Sequence, residues 1–154
     1  MMKRKIYITL FGGLGNQLFQ YACAYNLATQ LNAELIIDDK GGFFFDKYFK
    51  RNISLPKNLN FKKANIVEII MLFIFRVLKK IIFKKKLFIT KNKFIIIDET
   101  KEKKYINNFT SITKNKKFIY LIGFFQSEKY FLQSKNLILK KIFKNKINFK
   151  KLST

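Results

Sequence analysis

The chain has 154 residues, 49% hydrophobic and 27% charged, which suits one domain with a real core and excludes an intrinsically disordered segment. Basic residues outnumber acidic ones 32 to 9, giving a net charge of +23, and histidine is absent. The missing histidine removes Ser-His-Asp hydrolysis and histidine-based zinc sites from this sequence, and a single cysteine makes no internal disulfide, which suits a reducing cytoplasm.

Residues 5–11 form a short apolar run ending in glycine and read as a buried strand, followed by a tight turn at 12–15. A helix is predicted over 16–31. Leu18, Ala22, Tyr25, Ala28 and Leu31 recur at spacings of three and four, Asn16 is the expected N-cap, and Asn32 is the expected stop. Cys23 lies in this helix as a buried, inert thiol. Residues 35–38 read as a second strand, parallel and adjacent to the first.

The stretch 41–59 is loop-rich and holds the one proline, Pro56. A second helix is predicted over 66–82, with Ile66, Ile70, Phe73, Val77 and Ile81 as its packing face and lysines at its carboxyl end. Residues 94–97 read as a strand ending at Asp98, and a polar, weakly helical stretch runs to about 115. Residues 118–122 form another strand, broken at Gly123. A last helix is expected from a Ser127 cap to Phe143, with Leu132, Leu139 and Phe143 as its buried stripe and Glu128 in its first turn. The Lys/Asn-rich tail, 144–154, is expected to fray. The order predicts an α/β fold with a mostly parallel sheet flanked by helices. Its two glycine turns should share the rim at the strands' carboxyl ends.

So basic a chain suits polyanionic partners, but its lysines are spread along the sequence and only Arg4, Arg51 and Arg76 are arginines. That distribution argues for a solvated surface over a nucleic-acid site. The charge helps attract a nucleotide diphosphate and holds the protein near anionic lipid. No secretory signal is visible: the apolar run after the basic start is short and leads into the glycine turn. The most membrane-like stretch, 66–89, is interrupted by Glu68, Arg76, Lys79 and Lys80, short of the ~18 uninterrupted apolar residues of a span. The expected location is cytoplasmic, with peripheral contact at the inner face of the membrane.

Gly12-Gly13-Leu14-Gly15-Asn16-Gln17 is the most informative segment. Glycines let another group approach the backbone, and the following helix aims free amides at whatever sits above. The glycines alone fit a diphosphate cradle and a plain strand-to-helix corner equally. A dinucleotide fingerprint, G-x-G-x-x-G, is matched at Gly13 and Gly15 but has Leu18 in place of the third glycine. Asp38 stands where a ribose-binding acid would. No P-loop motif is present.

The run FGGLGNQLFQYACAYNLATQLNAELIID (11–38) resembles the opening of bacterial α-1,2-fucosyltransferases. The later YLIGFFQSEKYF (120–131) is similar to that family's second block, with Phe124 and Phe125 in place of the usual Tyr and Trp. Lys50-Arg51-Asn52-Ile53-Ser54-Leu55 resembles the stretch between them. The resemblance implies the Rossmann-like N-terminal, acceptor-side domain (1–143) of a two-domain GT-B glycosyltransferase. It implies transfer of L-fucose from GDP-β-L-fucose to a galactose 2-hydroxyl of a glycan, with inversion, without a cofactor or metal. The family's H-x-R-x-G-D donor motif does not occur here. The expectation is therefore a truncated enzyme, inactive alone, whose basic tail leads toward a missing donor-binding domain.

By the same resemblance Gly12, Gly13, Gly15, Asn16 and Gln17 are the expected donor contacts, and Gln126 and Ser127 line the acceptor cleft. Ser127 also reads as a helix cap. Asp38 and Glu128 are general-base candidates by position only. Tyr130 and Phe131 read as packing. Self-association through an uncovered interdomain face is expected. The alternatives are a non-catalytic nucleotide-binding α/β module and a basic membrane-surface protein using 66–86.

Overall fold

The computed structural model describes residues 3–44, 49–82, 88–91, 93–101, 105–107 and 109–143. Strands β1 (Lys5–Thr9), β2 (Glu34–Asp38), β3 (Lys62–Lys63), β4 (Phe88–Lys91), β5 (Phe94–Asp98) and β6 (Phe118–Ile122) alternate with helices α1 (Leu14–Gln30), α2 (Ile66–Ile82), α3 (Phe109–Thr113) and α4 (Lys135–Phe143). They build one sheet in the order β3-β2-β1-β6-β5-β4. The first five strands in that order run parallel, and β4 closes the edge antiparallel to β5. This is the Rossmann-like α/β architecture that the sequence predicts.

The strands form because they are short runs of β-branched and aromatic residues buried on both faces, as parallel strands must be. The pleat divides them cleanly. Ile6, Ile8, Ile37, Ile95, Ile97, Ile119 and Leu121 join α1 in the larger core. Tyr7, Ile36, Ile96, Tyr120 and Ile122 face α2 with Ile69 and Leu72. Cys23 is fully buried in the larger core, and burial pushes its thiol well up.

Several expectations need correction. The first strand stops at Thr9, and α1 starts at Leu14. Gly13, not Asn16, is the N-cap of α1, and no side chain caps that end. Asn32 does end the helix region, with φ +46° just after the last turn. Helix α2 has the predicted bounds but the opposite orientation: Ile66, Ile70, Val77 and Ile81 are exposed, while Ile69, Leu72 and the charged Glu68 and Lys79 are buried. The reason is a set of specific polar anchors. Asn65 and Glu68 form a reciprocal capping box, with Glu68 N–H on Asn65 Oδ1 at 2.9 Å and Asn65 N–H on Glu68 Oε2 at 3.1 Å. Glu68 also takes Tyr7 Oη at 2.9 Å, and Lys79 pairs with Asp98.

The expected last helix is instead two 3-10 turns, Glu128–Tyr130 and Leu132–Ser134, followed by α4. Ser127 precedes the first turn without a side-chain capping bond. Leu132, Leu139 and Phe143 are exposed, and Ile138 is the buried residue of α4. Tyr130 is core, with its hydroxyl accepting from Ile106 N–H at 2.9 Å, and Phe131 packs partly buried beside it. The short β3 and β4 are additional to the predicted strands. The tail 144–154 lies outside the described residues. Among the described residues no helix is long and apolar enough to cross a membrane.

Candidate functional site

Strands β1 and β6 are neighbours, with Ile8 beside Leu121, so the turns that follow them stand side by side at the carboxyl rim of the sheet. Phe11 and Phe124 meet edge to face across the two turns at 4.7 Å between ring centroids. Gly12 has φ +79° and Gly123 φ +154°, conformations that side chains other than glycine's rarely tolerate. Gly13 and Gly15 differ. Neither has positive φ, and a Cβ added at either would meet nothing within 4 Å. Glycine at these two positions leaves open space above the start of α1, where the first-turn amides lack intrahelical partners. No acidic residue in that first turn neutralises the positive end of the helix dipole. Leu14, 47% exposed, projects between the two glycines.

Three amide side chains of α1 tie the rim together. Asn16 Oδ1 accepts from Gln126 Nε2 at 2.8 Å, joining the two turns at the surface. Gln20, fully buried, accepts Phe11 N–H at 3.2 Å and donates to Gly123 C=O at 3.1 Å, joining them again beneath. Gln17, also fully buried, donates to Gly12 C=O and to Asn52 C=O, both at 3.0 Å, and accepts Ser54 N–H at 2.8 Å. Gln17 therefore fixes the 52–54 loop to the glycine turn, and both its donors point into the protein. Its amide is committed within the fold, against the expectation of a direct donor contact.

The two carboxylates singled out by position do other work. Asp38 is fully buried and accepts from Thr9 Oγ1 at 3.0 Å, Gly41 N–H at 2.6 Å and Lys40 N–H at 3.2 Å. It organises the loop after β2, where Arg76 also donates to Gly41 C=O at 2.8 Å. Thr9 Oγ1 lies 2.8 Å from Tyr120 Oη, and burial pushes that phenol's pKa up. Glu128 is exposed and pairs with Lys135 at 2.8 Å; the hydrogen bond and charge of that lysine hold its carboxyl below the usual range. Ser127 is half-buried next to the exposed Gln126.

Two residues of the rim were missed. Gln20 is one; its signal is a glutamine three residues after Gln17, set between the apolar Phe19 and Tyr21. Glu99 is the other. It follows β5, is half-buried, and its Oε2 accepts Phe124 N–H at 3.1 Å and Phe125 N–H at 3.2 Å. Burial raises its pKa, the two N–H bonds oppose this, and neighbouring Asp98 adds to the rise. Phe125, fully buried, sits at φ +50°, a strained conformation for a bulky residue that Glu99 and the surrounding core hold in place. The consecutive acids Asp98-Glu99 after a predicted strand were the available signal.

An open groove of about 510 Å³, lined by Tyr25, Asn32, Glu34, Asn60 and Lys62 among others, lies at the opposite, amino end of the strands. It shares no residue with the rim described above. Among the described residues no group of three or more His, Cys, Asp or Glu stands together as a metal-binding set. Comparisons of the chain with protein-family models, with curated proteins and with solved structures find no match.

Proposed function

We propose that this chain supplies one wall of the donor cleft of a sugar-nucleotide-dependent glycosyltransferase of the α-1,2-fucosyltransferase type. The reading takes it as the acceptor-side domain of a GT-B enzyme that moves L-fucose from GDP-fucose to a galactose 2-hydroxyl. One observation carries it. The three stretches that resemble the family are far apart in sequence, yet Asn16, Gln17 and Gln20 bond them together around an open glycine turn.

In the proposed reaction negative charge grows on the leaving diphosphate, and stabilising that anion is the main catalytic task. The free amides at the start of α1 and the open face of Gly13 and Gly15 suit an anion, while Asn16 and Gln126 offer amide groups at its edge. Glu99 acts here as a positioning residue that shapes the Gly123–Phe125 turn. With no H-x-R-x-G-D arginine in the sequence, the chain by itself does not catalyse transfer.

A specific observation favours a second reading, a non-catalytic nucleotide-binding module. Neither Asp38 nor Glu128 stands free beside the Asn16–Gln126 pair, since each is committed to other partners. Calorimetric titration with GDP, GDP-fucose and NAD tests both readings. The proposal expects GDP and GDP-fucose to compete for one site and NAD not to bind. NAD binding without GDP binding moves the site to dinucleotides. Robust fucose transfer to a galactose-terminated acceptor contradicts the claim that the chain alone is inactive.

A further inference from the structure

Helix α2 is amphipathic in the reversed sense. Ile66, Val67, Ile70, Ile74, Val77 and Ile81 are exposed, from 38% at Val77 to 71% at Val67. At 3.6 residues per turn they fall within an arc of roughly 100°. No charged residue lies in that arc. Glu68 and Lys79 are buried against the sheet, and Arg76 is turned inward to Gly41 C=O. A helix anchored by its charges and presenting its isoleucines outward needs something apolar to cover it.

The charge around the stripe says what that is. Lys62 and Lys63 lie just before α2 with side chains 56% and 61% accessible, although they pair with Glu34 at 3.9 Å and Asp39 at 2.7 Å, and Lys80 is exposed at the stripe's edge near the other end. A second copy of the chain would bring another net charge of +23 to the contact, and the two would repel. An anionic bilayer offers both halves of the match, phosphates for the lysines and acyl chains for the isoleucines. The helix, 17 residues long and not among any that could cross a membrane, is suited to lying in the interface.

We propose that α2 docks the protein on the surface of an anionic lipid bilayer, its isoleucine stripe in the headgroup–acyl boundary and Lys62, Lys63 and Lys80 on lipid phosphates. This inference is independent of the glycine-turn site. Flotation with phosphatidylcholine vesicles containing about 30% phosphatidylserine, at about 0.15 M salt, tests it. The chain should float with these vesicles and much less with pure phosphatidylcholine. Ile70→Glu with Ile74→Glu should weaken binding by about tenfold or more while the circular dichroism and melting temperature hold. Should that double variant fail to fold, Val67→Glu, at the most exposed position of the stripe, gives the same readout.

Absence of binding even at low salt overturns the proposal. So does equal binding by the parent and the folded variant, which reduces the effect to diffuse charge. A dimer that the same variant disperses, without vesicle binding, assigns the stripe to a second copy instead.

Discussion

Asn16 and Gln126, 110 positions apart, meet through a 2.8 Å hydrogen bond that joins the glycine turn to the second rim turn. The bond is exposed, so its own contribution to stability is small. Asn16→Ala should leave the melting temperature nearly unchanged and weaken GDP binding. Equal loss of both quantities would make Asn16 a structural residue.

Gln20 makes the buried version of the same connection, and its loss leaves Phe11 N–H and Gly123 C=O without partners. An unsatisfied buried group costs about 1–3 kcal/mol, and since Phe11 N–H is only part-buried and regains some water, Gln20→Ala should lower stability by roughly 2–4 kcal/mol in urea denaturation. A change below about 0.5 kcal/mol, the usual range for surface substitutions, would contradict this account of the rim.

The glycines of the first turn should separate into two classes. Gly12→Ala forces a side chain into φ +79° with its Cβ 2.6 Å from Asn16 Nδ2, and should cost about 1–2 kcal/mol or more. Gly13→Ala and Gly15→Ala meet no neighbour, and at the helical Gly15 the change should gain about 0.5–1 kcal/mol. If the open space is a ligand site, these same two substitutions weaken GDP binding despite their benign effect on folding. Thermal melts with and without GDP read both effects.

Glu68 links α2 to the sheet and gives stability a pH dependence. Burial pushes its carboxyl up, but bonds from Asn65 N–H, Tyr7 and Lys5 outweigh this and hold it below the usual value. A depressed carboxyl stabilises the fold above its unfolded pKa of about 4.3, and that contribution is lost as pH falls through the folded value. Glu68→Gln should flatten the acid limb of the stability–pH curve. Persistence of the full acid limb in the variant would assign it to other carboxylates.

The Lys79–Asp98 pair is buried, so removing one partner strands the other charge. Asp98→Ala should cost about 3–5 kcal/mol, and Lys79→Met with Asp98→Leu should recover most of it. A double variant no better than the single one would show that the pair does more than neutralise itself.

Strand and helix bounds were legible where one local signal dominated, as in the apolar 118–122 run and the 66–82 helix. The inward face of α2 was not. Its apolar periodicity selects Ile66, Ile70, Phe73, Val77 and Ile81, of which only Phe73 is half-buried, and the tertiary partners of Glu68, Arg76 and Lys79 turn the rest outward. The last helix broke into 3-10 turns before Lys135, although Ser127 and Glu128 resemble a helix start. The shared rim of the two glycine turns followed from strand order alone. The roles of Gln17, Gln20 and Glu99 did not, because each bonds to backbone groups brought close only by the fold.

The central claim is that a nucleotide diphosphate lies over the glycine turn. Titrating GDP-fucose into the isotopically labelled chain and following amide NMR shifts tests it most directly. The account predicts shifts concentrated at Gly12–Asn16 and Gly123–Gln126, and their loss in Gly13→Val. Shifts centred on the groove at Tyr25, Asn32 and Asn60, or none at saturating ligand, would contradict it.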